Sequence, residues 1–231
     1  MKIPRITIKF DVEKNLYNVW ETCNDNNAYG HDFSKTMPKQ IVKLCKNKKF
    51  EDCKKELKCR MLSVHSHPLI EPIRKFLDFS WSKISKEYFQ RLEKIIGKQF
   101  YSKEVIIYLT TAQRCPYRPN ENPPYFYVNF FNGIQDMLLT IGHELMHLQF
   151  HNMEYWDKIE KELDYKKTHD LKEALTVLLN IEFRDLWIVD DRGYPNHKQL
   201  RKFIRGQWKN KKDFGLLLDK SIKWIKKNGI K

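Results

Sequence analysis

Hydrophobic residues along the chain follow two periods, and the change between them separates predicted strands from predicted helices. Residues 6–12 alternate between apolar and polar side chains, which is typical of a half-buried strand. Two further runs, 105–109 and 125–131, are rich in β-branched and aromatic residues and also indicate strands. We therefore expect a small sheet within a chain that is otherwise helical in pattern.

Helical periodicity covers most of the remaining sequence. Apolar residues recur every three or four positions in five segments, which are 69–97, 134–152, 171–181, 197–208 and 213–227. The lysine-rich segment 43–60 predicts a short helical pair with a solvated basic face. Segments 24–30 and 190–196 carry the glycine and asparagine residues of loops.

The sequence His-Glu-x-x-His lies within the apolar helix predicted at 134–152. His143 and His147 are four residues apart, so they share one helix face with Cβ atoms roughly 6 Å apart. Two imidazoles at that separation can bind one tetrahedral Zn²⁺ ion, and Glu144 can act as general base toward a metal-bound water. A second histidine pair at 65–67 is interpreted as a loop before a helix, with metal binding from a strand as the alternative.

Prolines precede the strand predicted at 125–131, which ends just before the helix with the two histidines. Proline cannot donate to a neighbouring strand and is found mainly at sheet edges, so we expect 125–131 to be an edge strand. An edge strand beside a metal-binding helix can hold an extended peptide by backbone hydrogen bonds.

A catalytic zinc site usually has three protein ligands and a water molecule, so a third side chain is needed. Glu173 lies on the next strongly apolar helix, where a carboxylate requires a partner, and His169 and Asp170 are the alternatives. His151 also faces the histidine side of its helix. It lies about 12 Å along the helix axis from His143, too far to share the ion.

This arrangement resembles that of the gluzincins, the thermolysin-like branch of the zincin metallopeptidases. The segment Glu173-Ala174-Leu175-Thr176 is similar to the gluzincin helix in which alanine and a small hydroxyl residue follow a ligand glutamate. The resemblance implies a Zn²⁺ ion bound by His143, His147 and Glu173. It also implies that Glu144 is the general base and proton shuttle.

Two parts of the gluzincin site need other residues in this chain. Val177 stands where the family has an aspartate that orients a ligand histidine, so Asn180 or Asp170 is the candidate for that contact. The resemblance also implies a Tyr or His that donates a hydrogen bond to the developing oxyanion. Tyr194 and His197 are the candidates for this role.

Positive charge dominates the composition. The 231 residues include 43 Lys and Arg against 29 Asp and Glu, which gives a net charge of +14. This balance favours solubility and a weak attraction to anions such as nucleic acid. The basic segments 43–60 and 209–231 are candidates for phosphate binding, and a solvated basic surface is the simpler interpretation.

The five cysteines show no C-x-x-C spacing, so we expect reduced thiols in a cytoplasmic protein. No apolar run approaches the roughly 18 residues of a membrane span, and the alternating N-terminus is unlike a signal peptide. The length is sufficient for one domain with a substantial core or for two small lobes, and the aromatic content of 13% fits a real core.

Together these patterns predict an α+β fold, and the gluzincin resemblance implies that it is zincin-like, with one catalytic domain over 1–231. Residues 1–155 are expected to form a subdomain of sheet and metal helix, and 156–231 a helical subdomain that supplies the third ligand. The predicted function is zinc-dependent hydrolysis of a peptide or protein substrate. The alternatives are a nucleic-acid-associated basic protein, including a DNA- or RNA-linked protease, and a metal-binding protein without peptidase activity.

Overall fold

The computed structural model describes residues 3–25, 31–152 and 154–230, and it has an α+β fold with a small mixed sheet. The strands are β1 (Arg5–Phe10), β2 (Glu104–Thr110), β3 (Tyr117–Arg118) and β4 (Tyr125–Asn129). The helices of the N-terminal half are α1 (Val12–Asn24), α2 (Lys39–Cys45), α3 (Phe50–Arg60), α4 (Leu62–His65) and α5 (Ile70–Ile96). Those of the C-terminal half are α6 (Ile134–His151), α7 (Glu154–Glu162), α8 (Tyr165–Leu175), α9 (Leu179–Glu182), α10 (Arg184–Trp187), α11 (Lys198–Asn210) and α12 (Phe214–Asn228).

The sheet has the strand order β1-β2-β4-β3. β1, β2 and β4 are parallel, and the two-residue β3 pairs with β4 in the antiparallel direction. The predicted edge strand is therefore wrong, because β4 has a neighbour on each side and all five of its residues are buried. The prolines lie in the loop before β4, so they remove none of its ladder hydrogen bonds.

The predicted helices at 69–97, 134–152, 197–208 and 213–227 correspond to α5, α6, α11 and α12, and the basic segment 43–60 contains the end of α2 and all of α3. None of the helices among the described residues is both long enough and apolar enough to cross a membrane.

Several predicted boundaries differ from the structure, and the strand predicted at 125–131 ends at Asn129. Val12 begins α1 instead of extending β1, because the Asp11 side chain accepts a hydrogen bond from the Lys14 backbone and caps the helix. The helix predicted at 171–181 begins six residues earlier, at Tyr165, where Asp164 is the N-cap. It ends at Leu175 and continues as a 3-10 turn. Most of the loop predicted at 24–30, namely 26–30, lies outside the described residues.

Contacts between Cα atoms separate the chain into two compact units. The sheet unit comprises 5–82 and 104–137, and the site unit comprises 1–4, 83–103 and 138–231. This differs from the division predicted at 155, because the histidine-bearing part of α6 belongs with the C-terminal helices. Glu173 of α8 and Trp187 of α10 contact that part of α6, and the hydrophobic pattern along a single helix does not reveal which helices will pack against it.

The sheet unit has its own hydrophobic core. Leu16, Val19 and Cys23 of α1 pack in one cluster with residues of α2 and α3, including Cys45 and Cys53. All five cysteines of the chain are free thiols, as the sequence predicts.

In the site unit, α6 makes a close contact at Gly142, the residue immediately before His143. A Cβ atom at Gly142 would lie 2.5 Å from Cη2 and 2.8 Å from Cζ3 of Trp187, and 3.2 Å from Cε2 of Tyr88. The Tyr88 hydroxyl also donates a 2.6 Å hydrogen bond to the Gly142 carbonyl. Both rings are fully buried, so neither can move aside without disturbing the core.

Gly142→Ala is expected to destabilise the protein by about 1–3 kcal/mol, because the added methyl overlaps the Trp187 ring. Gly206 of α11 is the matched control, since nothing lies within 4 Å of its Cβ position. Gly206→Ala should stabilise by up to about 1 kcal/mol through helix propensity alone. Denaturant unfolding measures both variants, and a Gly142→Ala protein as stable as the wild type would contradict the close contact.

Candidate metal centre

Two helices of the site unit bring the three predicted metal ligands together. His143 and His147 lie one turn apart on α6, with ring centroids 4.3 Å apart. Glu173 lies in the last turn of α8, with Oε2 3.4 Å from His143 Nε2 and Oε1 3.2 Å from His147 Nε2. Among the described residues, this is the one group of His, Cys, Asp or Glu side chains whose donor atoms converge as metal ligands could.

The donor set and its spacing fit a divalent metal ion. Ligand atoms bound at 2.0–2.1 Å in a tetrahedron lie about 3.3 Å from one another, and the two nitrogen–oxygen distances are close to that value. Two imidazoles and one carboxylate are ligands typical of zinc. The three residues present can therefore hold such an ion without a change of fold.

Burial differs among the three side chains, and this leaves one side of the group accessible. His147 and Glu173 are 2% and 8% exposed, whereas His143 is 21% exposed. Burial lowers the pKa of His147 to about 3, helped by the charge of Lys172, so this imidazole is neutral near pH 7. A neutral imidazole has a lone pair available for a metal ion.

Asp191 fixes the orientation of His143. Its Oδ2 atom lies 3.4 Å from His143 Nδ1, on the opposite side of the ring from Glu173. Burial alone would lower the pKa of His143, but the carboxylates of Asp191 and Glu173 raise it well above its usual value. A metal ion that binds Nε2 must displace the proton there, and Asp191 then keeps the remaining proton on Nδ1.

The loop around Asp191 is fixed by hydrogen bonds to its backbone. Asn180 donates to the Asp191 carbonyl at 2.8 Å and accepts from the Asp191 amide at 2.7 Å. Gly193 donates its amide to Asp191 Oδ1 and has a φ of +62°, which favours glycine. Of the two residues predicted to orient a histidine, Asn180 therefore acts indirectly, through Asp191.

Arg201 of α11 connects this loop to the ligand glutamate. Its Nη2 donates to the Asp191 carbonyl at 2.7 Å, and its Nη1 donates to Thr176 Oγ1 at 2.9 Å. The Thr176 hydroxyl in turn donates to the Glu173 carbonyl at 2.7 Å. The buried Arg201 guanidinium therefore links the segment that carries Glu173 to the segment that carries Asp191.

Lys172 is a buried cation beside the ligand group. Its side chain is only 4% exposed, and Nζ lies 3.0 Å from Glu173 Oε1. Burial would raise the pKa of Glu173, but Lys172 and the two histidines hold it well below its usual value. The carboxylate therefore stays ionised, and an ionised carboxylate is the form that binds a metal.

Glu144 and Tyr194 are close enough to His143 and Glu173 for charge to shift the pKa values of these groups. The Glu144 carboxylate, which is 7% exposed, contributes to raising the pKa of His143. Burial raises the pKa of the Tyr194 phenol, and the charges of Glu173 and Glu144 raise it further. Tyr194 therefore remains a protonated hydrogen-bond donor at neutral pH.

His197, the other predicted oxyanion donor, has a buried partner of its own. It is fully buried, and its Nε2 lies 2.7 Å from Asp170 Oδ1, which is also buried. Asp170 is thus engaged with His197 and is not part of the converging group. His169 packs against Tyr165, with ring centroids 4.2 Å apart, and is outside the group as well.

The two remaining histidine predictions concern other parts of the structure. His151 packs against Trp156, with ring centroids 3.8 Å apart, and does not join the group of His143, His147 and Glu173. His65 ends the short helix α4, and its Nε2 lies 3.0 Å from the Asn15 side-chain amide. The interpretation of 65–67 as a loop is therefore partly wrong.

Asp191, Arg201 and Lys172 were not predicted from the sequence. Asp191 lies in a segment read only as a turn, and nothing in the spacing connects it with His143. Lys172 would be assigned to a solvated face, because lysine is rarely buried. The sequence feature that could have predicted the burial of Lys172 is its neighbour Glu173, because a lysine and a glutamate that are buried together can neutralise each other.

No protein family, curated protein or solved structure matches this chain. The proposed role of the site therefore depends on its own geometry and on the motif.

Asp191→Ala is expected to weaken metal binding by about 10–100-fold, because His143 loses the partner that orients its ring. The matched control is Asp190→Ala, which removes an exposed carboxylate one residue away. Competition with a chromophoric zinc chelator measures both affinities. Equal affinities in the two variants would mean that Asp191 does not orient a ligand.

Lys172→Met should destabilise the metal-free protein by about 3 kcal/mol, because the Glu173 charge loses its buried counter-ion. Saturating zinc should restore most of this loss, so the rise in melting temperature on adding zinc is expected to be larger than in the wild type. Lys166→Met, an exposed lysine of the same helix, is the control. A zinc-induced rise no larger than that of the wild type would show that Lys172 does not compensate Glu173.

Proposed function

We propose that this protein is a zinc-dependent metallopeptidase with its active site in the site unit. The observation that carries the proposal is the convergence of His143, His147 and Glu173, at 3.2–3.4 Å, beside the carboxylate of Glu144. Two histidines and a glutamate form a known type of catalytic zinc site, in which the fourth position holds water or substrate. The partial exposure of His143 is consistent with access from solvent.

In this proposal His143, His147 and Glu173 hold the ion. A zinc ion bound there would polarise a substrate carbonyl and make a bound water molecule more acidic. Asp191 keeps the Nε2 atom of His143 directed at the ion, and Arg201 keeps Asp191 and Glu173 in register. Lys172 keeps the Glu173 carboxylate ionised.

Glu144 is the proton carrier. A carboxylate next to the first ligand histidine can take a proton from the attacking water and deliver it to the leaving amine. Tyr194 is the preferred hydrogen-bond donor to the developing oxyanion, because its phenol stays protonated and lies within electrostatic range of Glu144 and Glu173. His197 is the weaker candidate, since its Nε2 is engaged by Asp170.

Two variants test this proposal in sequence. Wild-type protein should contain about one zinc ion per chain by elemental analysis, and Glu173→Ala should lose it. Glu160→Ala, an exposed carboxylate on α7, is the control and should retain the ion. Glu144→Gln should also retain zinc but cleave a proteome-derived peptide library at least about 100-fold more slowly.

Each possible failure has a separate meaning. A wild-type protein that takes up no zinc would overturn the metal site itself. Zinc that stays tightly bound in Glu173→Ala would move the third ligand elsewhere. Zinc-loaded wild type that cleaves no peptide, or a Glu144→Gln variant as active as the wild type, would reject the peptidase function and leave a metal-binding protein.

A further inference from the structure

Helix α11 carries a row of four positive charges on its surface. Lys198, Lys202, Arg205 and Lys209 follow one another at intervals of four, three and four residues, and all four are exposed. Side chains at these intervals lie on one face of a helix. The row is about 16 Å long, at 1.5 Å per residue.

These four charges lack acidic partners in the part of the chain that the structure describes. Helix α11 has no acidic residue, and none of the four cations forms an ion pair or a side-chain hydrogen bond. Some other cations of the site unit do form ion pairs, for example Lys158 with Asp219, Lys212 with Glu182 and Lys226 with Glu162. The row on α11 is therefore a concentration of uncompensated charge.

The side of α11 opposite the four cations is apolar and buried, so the four cations face solvent. Leu200, Ile204 and Trp208 are buried in the core of the site unit. Phe203, the other large apolar residue of the helix, is partly buried and stacks on Trp224. The helix therefore has no fully exposed large apolar side chain to enter a lipid layer, which membrane-surface helices require. The chemistry of the exposed face is therefore that of cations alone, which favours an anionic polymer.

We propose that the face of α11 formed by Lys198, Lys202, Arg205 and Lys209 binds the phosphate backbone of nucleic acid. Each strand of a duplex carries one phosphate per 3.4 Å of axis, so about 16 Å of duplex presents roughly five phosphates to four cations. Gly206 lies on the same exposed side and leaves open space around its Cα atom, so a backbone can approach closely. The contacts are to phosphate, so binding is independent of base sequence.

This surface differs from the basic segments that the sequence indicated. Only Lys209 belongs to the predicted segment 209–231, and none of the four belongs to 43–60. The segment 43–60 contains acidic residues among its lysines, and Lys54 and Lys58 pair with Glu13. The proposal is also independent of the metallopeptidase function, because none of the four residues contacts the metal centre.

The test is fluorescence anisotropy of a labelled 20-base-pair duplex over a series of salt concentrations. The test variant replaces Lys198, Lys202, Arg205 and Lys209 with glutamine. The control variant makes the same change at four exposed lysines of the sheet unit that form no ion pair, Lys43, Lys46, Lys49 and Lys55. Both lose four charges, so any effect of net charge alone is the same in the two proteins.

Wild type and control should bind the duplex with affinity that falls with salt. The test variant should bind about tenfold more weakly or worse, and the slope of log K against log salt should become shallower by about three to four. Unchanged circular dichroism and zinc content show that the variant is folded.

Three results would overturn the proposal. One is a wild type that does not bind the duplex at low salt, and another is an equal loss of binding in the test and control variants. The third is wild-type binding to vesicles with anionic lipid that is tighter than to DNA and is lost in the test variant, which would identify a membrane surface instead.

Discussion

The local structure of the site depends on the buried charge of Glu173. A carboxylate without water is costly unless cations or hydrogen-bond donors surround it. Here Lys172 lies at 3.0 Å from one oxygen, and the imidazoles of His143 and His147 lie at 3.4 and 3.2 Å from the two oxygens. The same three contacts that make this charge tolerable also place the Glu173 carboxylate between two histidines with which it could hold a metal ion.

Keeping this arrangement requires α6 and α8 to hold fixed positions, and two contacts provide this. Gly142 lets Trp187 and Tyr88 pack directly on the α6 backbone, one residue from His143. Arg201 joins the end of α8 to the loop of Asp191 through Thr176 and the Asp191 carbonyl. Both contacts are buried, so a small displacement at either one would be transmitted to the ligand atoms.

The site unit has a second buried pair of His and Asp, and its role differs from that of the first. His197 Nε2 and Asp170 Oδ1 lie 2.7 Å apart in the core, whereas the His143 ring lies between Asp191 and Glu173. An aspartate therefore pairs with a histidine in both places, and at His143 the other ring nitrogen, Nε2, lies 3.4 Å from Glu173 Oε2. The two His–Asp pairs therefore differ in their surroundings, because Glu173 lies beside the other ring nitrogen of His143.

The sequence by itself determined the elements and the two histidines of the site. Helical period located α5, α6, α11 and α12, and the spacing of four residues placed His143 and His147 on one face of a helix. These are local properties, because helix geometry fixes which near neighbours share a face. The likeness of the α8 segment to a known ligand helix was also enough to select Glu173.

The tertiary structure alone decided the partners that come from distant parts of the chain. Asp191 meets His143 across 48 residues, and Arg201 reaches two segments that no periodicity connects. The position of β4 inside the sheet depended on β3, a strand too short to leave a pattern. The burial of Lys172 followed from the enclosure of α8 by other helices, and a side chain's own sequence neighbours do not encode which elements will cover it.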